Sequence, residues 1–138
     1  MYTILVVDDE RSVRAILSSV LKKEGHEVIE ATDGKQAIDL TREKNPHVIL
    51  MDVRMPGMDG LTASRKLKGD EKTKHIPILV ITAFDERKSE AIEAGVDDFI
   101  NKPFDTEEVA IRVRSMLRIR DLTDELQKVV SHLNKLEK

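Results

Sequence analysis

The hydrophobic residues of the chain are concentrated in five short runs, which longer segments with helical spacing separate. Three of the runs are almost continuous in aliphatic residues, which is typical of strands covered on both faces of a sheet. We predict that all five runs are β-strands, the second being the weakest: Ile4–Val7, His26–Ala31, Val48–Met51, Ile78–Ile81 and Phe99–Ile100.

The segments between the runs predict helices, because their hydrophobic residues recur at helical spacing and their ends carry residues that stop helices. The first stops at Gly25, a residue typical of helix C-caps. The last begins after Asp105 or Thr106, with Glu107 and Glu108 in a first turn where the helix dipole favours acids. The other predicted helices are Ser12–Lys23, Lys35–Lys44, Leu61–Leu67 and Glu86–Ala94.

Strand and helix alternate five times, a pattern that predicts an α/β fold with right-handed crossovers. We expect a doubly wound, five-stranded parallel sheet in the flavodoxin-like order 2-1-3-4-5, flanked by five helices, the last of them extended. In that order the first and third strands are neighbours.

The last helix is predicted to continue beyond the sheet and to carry a heptad seam. The seam has spacings of three and four and covers about two and a half heptads, short of the three or four that identify a coiled coil. It consists of Ile119, Leu122, Leu126, Val129, Leu133 and Leu136. A tail packed on its own domain remains an alternative to our preferred interpretation, a projecting helix that pairs with another copy. The flanking charges are too sparse to indicate the orientation of such a pair.

Polar residues stand where the predicted strands end. The carboxyl ends of parallel strands share one edge of the sheet, where ligands of doubly wound folds bind. Three carboxylates gathered there repel one another unless a cation joins them, and hard oxygen ligands suit Mg²⁺. The residues are Asp8, Asp9 and Glu10 after the first strand, Asp52 after the third, Thr82 after the fourth and Lys102 after the fifth.

These residues together describe a site for an aspartyl-phosphate, in which a carboxylate attacks phosphorus while a metal and a lysine neutralise charge. Each residue alone has a simpler interpretation. An Asp pair after a strand is commonly a helix cap, and a lone Asp at a strand end is commonly a turn residue. Thr82 fits a strand, and Lys102 fits a solvated surface. The joint pattern favours the site.

Composition narrows the class of protein further. The chain has 138 residues, enough for one domain, a net charge of −3 and no cysteine. Neither a signal peptide nor an apolar run of the roughly 18 residues of a membrane span is visible. We therefore expect a cytoplasmic protein without a nucleic-acid or membrane partner.

Four motifs, ILVVDDE, ILMDVRMPGMDG, ILVITAF and DDFINKPF, make residues 2–117 resemble the receiver domain of bacterial two-component response regulators. The resemblance implies a phosphorelay switch and a sensor histidine kinase or phosphotransfer protein as partner. Asp52 would be the phosphoacceptor, and a small acyl phosphate could replace the kinase. Such a domain is not an enzyme beyond its own phosphorylation and dephosphorylation.

The resemblance also implies the roles of the other site residues. Mg²⁺ would be bound by Asp52, by Asp9 directly, by Asp8 through water and by the main-chain carbonyl of Arg54. Thr82 and Lys102 would contact the phosphoryl oxygens.

The resemblance further implies a switch and an output surface. Phe99 would turn inward when the Thr82 hydroxyl moves to the phosphoryl group. The Lys102–Pro103 bond would be cis, as proline permits. Residues 86–117 would form the output surface, and the side chains of Arg54 and Phe84 would lie beside the phosphate.

The expected organisation is a receiver domain at residues 1–118 and a helical extension at 119–138, either a coiled coil or a linker to an output domain. Residues 112–126 resemble the junction in regulators that carry cyclic-di-nucleotide or other enzymatic output domains. The chain is then part of a longer regulator or a short regulator with a helical tail, and the seam ending without a cap favours the first.

Three other classes remain as alternatives. A phosphohydrolase that forms an aspartyl-phosphate would require a second acid two residues after Asp52. Arg54 occupies that position, which counts against this class. A flavin-binding domain would require aromatic residues that stack on the flavin, and this chain has only three Phe and one Tyr. An interaction module that is never phosphorylated is disfavoured by the complete acid set. The histidines at positions 26, 47, 75 and 132 are expected to be surface residues.

Overall fold

The computed structural model describes residues 2–83 and 87–137 of the chain. The strands are β1 (Thr3–Val7), β2 (Glu27–Ala31), β3 (Val48–Met51), β4 (Ile78–Thr82) and β5 (Asp98–Asn101). The helices are α1 (Arg11–Lys23), α2 (Gly34–Lys44), α3 (Gly60–Lys68), α4 (Lys88–Glu93) and α5 (Thr106–Leu136). All predicted elements are present, and each strand lies within one residue of its predicted bounds. The predicted start of α4, Glu86, falls outside the described residues.

The five strands form one parallel sheet in the order β2-β1-β3-β4-β5, which confirms the predicted topology. In the register, Val7 pairs with both Ala31 and Met51, and Met51 pairs with Val80. The residues that follow Val7 and Met51 are therefore neighbours at the carboxyl edge of the sheet.

Alternating side chains of the strands enter two separate hydrophobic clusters, one on each face of the sheet. The cluster that contains Leu5, Ile49 and Val80 includes residues of α2, α3 and α4. The cluster that contains Ile4 and Leu50 includes residues of α1 and α5. Every residue of β3 and β4 is buried, whereas β2 is a half-exposed edge strand, which explains the weaker hydrophobic character of the second run.

Capping residues fix where the helices begin and end. The side chains of Asp33, Asp59 and Asp105 accept hydrogen bonds from backbone N–H groups in the first turns of α2, α3 and α5. Asn45 ends α2 in the left-handed conformation, with φ 48°.

Helix α5 is buried only along its first three turns. Val109, Val113, Met116 and Leu117 are buried, whereas the chain from Asp121 to Glu137 is exposed. The seam residues are between 52% and 69% exposed. Among the described residues, no helix combines the length and the apolar character needed to cross a membrane.

The loop between β3 and α3 folds back tightly on the end of β3. The Gly60 N–H donates to the Val53 carbonyl at 2.9 Å. A Cβ atom at Gly60 would lie 1.8 Å from the Asp52 carbonyl oxygen, so only glycine permits this approach of the two backbones.

We expect Gly60→Ala to lower the free energy of unfolding by about 3 kcal/mol, because the added methyl group must displace backbone rather than a flexible side chain. Urea denaturation measures the change. The control is Gly69→Ala at the C-cap of α3, where φ is −86° and the nearest atom to a Cβ lies 3.2 Å away. This variant should stay within about 0.5 kcal/mol of the parent. Equal stability of both variants would contradict the close approach.

Candidate functional site

Two buried carboxylates lie side by side at the carboxyl edge of the sheet. Asp8 follows β1 and is 1% exposed, and Asp52 follows β3 and is 6% exposed. The Asp52 N–H donates to the Val7 carbonyl at 2.9 Å, and the Asp8 N–H donates to the Ala31 carbonyl at 3.2 Å. The parallel register thus fixes the backbone of both acids.

The ammonium group of Lys102 joins these two carboxylates. Its Nζ donates to Asp8 Oδ2 at 2.9 Å and lies 3.4 Å from Asp52 Oδ1. The backbone holds the lysine at this edge, because the Lys102 N–H donates to the Thr82 carbonyl at 2.8 Å. The Lys102–Pro103 bond is cis, as the family resemblance implied.

Asp9 and Glu10 add two further carboxylates beside Asp8. One oxygen of each of Asp8, Asp9 and Glu10 lies within 4.8 Å of the others, and Asp9 and Glu10 are exposed. The Glu10 N–H also donates to Asp8 Oδ1 at 2.9 Å. Glu10 was expected among the polar residues after β1 but was not predicted to be a metal ligand.

Arg14 is a residue that sequence reasoning missed. Its Nη1 donates to the Asp8 carbonyl at 2.8 Å, and its Nε forms an ion pair with Glu30 at 3.1 Å. The guanidinium therefore ties the backbone of Asp8 to the edge strand β2. The arginine lies one helical turn after the acids, and its position in the sequence of α1 is typical of an ordinary polar residue of an amphipathic helix.

Arg54 lies beside the acids on the loop that leaves β3. Its exposed side chain lines an open cleft together with Asp9, Met55, Pro56, Gly57, Asp59 and Arg87. The Val53 N–H between it and Asp52 donates to Asp52 Oδ1 at 3.0 Å. Its main-chain carbonyl remains a predicted ligand. Phe84, predicted beside the phosphate, lies outside the described residues.

Thr82 ends β4 at the carboxyl edge, and Phe99 lies on the neighbouring strand β5. Thr82 is 1% exposed, and its hydroxyl oxygen has no hydrogen-bond partner in the part of the chain that the structure describes. Phe99 on β5 is half-buried, pairs with Val80 in the register and packs against the cluster under α2, α3 and α4. The hydroxyl is thus a buried polar group available to a ligand at this edge.

The charges of the site are poorly balanced. Burial, and after it the charge of Asp8, raise the pKa of Asp52 to about 6 against the opposing effect of Lys102. Burial also opposes the charge on Lys102, but its bonds to Asp8 and Asp52 outweigh that effect and raise its pKa. Two buried carboxylates thus share one ammonium.

This donor set fits a hard divalent cation. The site offers carboxylate oxygens, which are the ligands that Mg²⁺ prefers. It also opens to solvent at Asp9, which suits an ion that keeps several of its waters. Asp8, Asp9 and Asp52 would hold the ion, and Glu10 offers an additional exposed carboxylate.

In metal-free buffer we expect Asp52→Asn to be more stable than the parent protein at pH 7 to 8. The folded-state pKa of about 6 exceeds the ordinary value of 3.8, so the parent loses stability as the pH rises from 3.8 through 6. The asparagine of the variant cannot ionise in this pH range, so the variant does not lose this stability. Its advantage in melting temperature should be on the order of 5 °C above pH 7 and should shrink towards pH 4.

Calorimetry in EDTA at several pH values measures this advantage, with Asp39→Asn on the exposed side of α2 as the control. The control should show no comparable pH-dependent difference. An Asp52→Asn advantage that is the same at pH 4 and pH 8 would contradict the unfavourable charge at position 52.

The family model of the response regulator receiver domain matches residues 4–114. Response regulator PleD of Caulobacter vibrioides is 44% identical over 126 residues, which make up 90% of this chain and 28% of PleD. The chain therefore spans little more than a quarter of the length of that relative.

Three solved structures with the same fold illustrate the similarity. A putative response regulator from Chloroflexus aurantiacus has a TM-score of 0.81 and 34% identity, over 85% of this chain and 98% of that one. Chemotaxis protein CheY4 of Vibrio cholerae has a TM-score of 0.79 and 32% identity, over 85% and 99%. NtrX of Brucella abortus has a TM-score of 0.84 and 29% identity, over 93% of this chain and 30% of that one.

The family match covers the sheet from the second residue of β1 onward and every residue of the acidic edge. The structure agrees with it in strand order, and the solved relatives share the architecture. The chain therefore belongs to the receiver domains of response regulators, the regulatory phosphoacceptor domains of two-component phosphorelay signalling.

Proposed function

We propose that Asp52 is the phosphoacceptor of this signalling switch. The observation that carries the proposal is the position of its carboxylate, buried beside Asp8 and 3.4 Å from the Lys102 ammonium. A carboxylate oxygen of Asp52 would attack the phosphorus of a phosphohistidine on a sensor kinase or phosphotransfer protein. A P–O bond forms while the P–N bond breaks, and the donor imidazole keeps the electron pair. A small acyl phosphate would serve as an alternative donor.

Asp8, Asp9, Asp52 and the Arg54 carbonyl are the proposed holders of Mg²⁺. When bound, the ion would supply positive charge that offsets the charge of the phosphoryl group. The acids fit this role because three oxygens of the Asp8, Asp9 and Glu10 cluster already lie within 4.8 Å of one another.

Lys102 and Thr82 are the proposed partners of the phosphoryl oxygens. Lys102 offsets part of the negative charge of the buried acids before the reaction and is already within reach of Asp52, so it can pair with a phosphoryl group attached there. The Thr82 hydroxyl is buried without a partner among the described residues, and it would gain one by donating to a phosphoryl oxygen.

The signal would be a change of charge. A phosphoryl group adds about −1.5 to −2 charges and strong acceptors. Movement of the Thr82 hydroxyl towards it would leave room for Phe99 to turn inward, since both residues lie on the adjacent strands β4 and β5. The proposed readout is a changed surface on α4, β5 and the first part of α5.

We expect incubation with Mg²⁺ and acetyl phosphate to add the mass of one phosphoryl group to the intact chain. Asp52→Asn should abolish the gain, because an amide is not a nucleophile of this kind. Intact-protein mass spectrometry measures both.

Asp39→Asn is the matched control, and it should be labelled like the parent. EDTA should prevent the labelling of every variant if the metal is required. Labelling that persists in Asp52→Asn would refute the assignment of the phosphoacceptor, whereas labelling of the parent in EDTA would refute only the role of the metal.

We also propose that residues 1–118 form the switch and that the extension at 119–138 pairs with a second copy. The support is the seam, whose six aliphatic residues are more than half exposed on a helix that continues beyond the domain. The expected place of action is the cytoplasm, where a sensor kinase would supply the phosphoryl group.

We expect the full chain to sediment as a dimer at high micromolar concentration and a chain ending at Leu117 to sediment as a monomer. Leu126→Glu with Leu133→Glu should abolish pairing, because both residues lie in the seam. The control Lys128→Glu changes charge on the same helix outside the seam, and it should still dimerise. A monomeric full chain at all concentrations, with and without acetyl phosphate, would refute pairing through the extension.

A further inference from the structure

The amino edge of the sheet gathers aromatic side chains that the phosphoacceptor site does not use. Tyr2, His26 and His47 directly precede β1, β2 and β3. The Tyr2 ring packs edge-on against His26, with centroids 5.8 Å apart, and against His47, with centroids 5.1 Å apart. His26 and His47 are both half-buried, unlike the surface positions expected from the sequence.

His47 is fixed within this group by its backbone and its ring. Its N–H donates to the Thr3 carbonyl at 2.8 Å, and its Nδ1 accepts from the Thr3 N–H at 3.0 Å. An acceptor nitrogen requires an uncharged ring. Burial lowers the pKa of His47, and the charge of Arg120 lowers it further, which favours that uncharged ring at pH 7.

Helix α5 reaches this edge just after its buried part ends at Leu117. Arg120 Nη1 donates to the His47 carbonyl at 2.7 Å, and the Tyr2 hydroxyl donates to an Asp121 carboxylate oxygen. Arg120 is half-buried, whereas the residues from Asp121 onward are exposed. These two bonds therefore lie at the point where the helix leaves the domain.

The bonded residues lie on the side of α5 opposite the seam. At about 100° of rotation per residue, Arg120 and Asp121 continue the side of the helix that buries Val113, Met116 and Leu117. The seam, from Ile119 to Leu136, is centred roughly 160° away from them. Docking of the polar side thus turns the seam away from the domain.

We propose that Tyr2, His47, Arg120 and Asp121 form an amino-edge clamp that docks the first turn of the extension on its own domain and sets the direction of the seam. The clamp makes receiver and extension one body across the junction at Leu117. Without it, the helix beyond Leu117 has lost its hydrophobic anchor and is exposed on all sides, so it would fray from the junction onward. The clamp depends neither on phosphorylation nor on pairing.

Hydrogen–deuterium exchange of the full chain tests the clamp. Two variants remove one bond each: Tyr2→Phe keeps the ring and removes the hydroxyl, and Arg120→Gln keeps a helix-forming residue and removes the guanidinium. Each should speed amide exchange at residues 119–124 by about tenfold, while exchange at 107–117 stays as in the parent. The control Arg118→Gln, an exposed arginine two positions earlier, should leave 119–124 unchanged.

The same measurements are made in chains that also carry Leu126→Glu and Leu133→Glu, so that pairing contributes nothing to the protection. Faster exchange at 119–124 in both clamp variants on this background supports the clamp whatever the oligomeric state. Two results would overturn the clamp. One is exchange at 119–124 in the parent that is as fast as exchange at 130–136, and the other is exchange at 119–124 that neither clamp variant changes. If Tyr2→Phe speeds exchange throughout β1, Arg120→Gln alone decides, because its side chain lies outside the sheet.

Discussion

At the carboxyl edge of the sheet, one ammonium group lies between two buried carboxylates that the strand register holds close together. Lys102 bonds to Asp8 and approaches Asp52, and the parallel register brings the backbones of both acids together whether or not their charges are balanced. Burial, and after it the charge of Asp8, keep the pKa of Asp52 near 6 despite the neighbouring ammonium. Three backbone features hold these side chains in place: the strand order, the close approach at Gly60 and the bond from the Lys102 N–H to the Thr82 carbonyl. A bound cation or a phosphoryl group would each change the charge of the site.

Much of this edge could be predicted from the sequence, because the carboxyl ends of parallel strands must share an edge. The acids after β1 and β3 were therefore expected to converge, and they do. The direct bond between Lys102 and Asp8 was not foreseen, since it depends on side-chain rotamers and on the twist between β1 and β5. The same reasoning applied to the amino ends would have brought Tyr2, His26 and His47 together. Their separation along the chain made the histidines look scattered, although each directly precedes a strand.

Helix α5 connects the two edges of the sheet. It begins at Thr106, capped by Asp105, shortly after β5 ends at the carboxyl edge, and it passes the amino edge at Arg120. A change beside β4 and β5 would therefore act on the first turns of the helix that later presents the seam. A rigid helix transmits such a change along its length only if the helix stays continuous. In α5 this continuity is least supported just after Leu117, where the hydrophobic burial ends, and that is where the amino-edge clamp contacts the helix.

Chemical identification of the residue that carries the phosphoryl group tests whether Asp52 is the phosphoacceptor. Borohydride reduces an aspartyl-phosphate to homoserine, so the phosphorylated chain is reduced, digested and mapped by tandem mass spectrometry. We expect homoserine at position 52 and unchanged aspartates at positions 8 and 9, all of which lie at the same edge. Homoserine at position 8 or 9, or a phosphorylated chain that yields no homoserine, would contradict the assignment of Asp52.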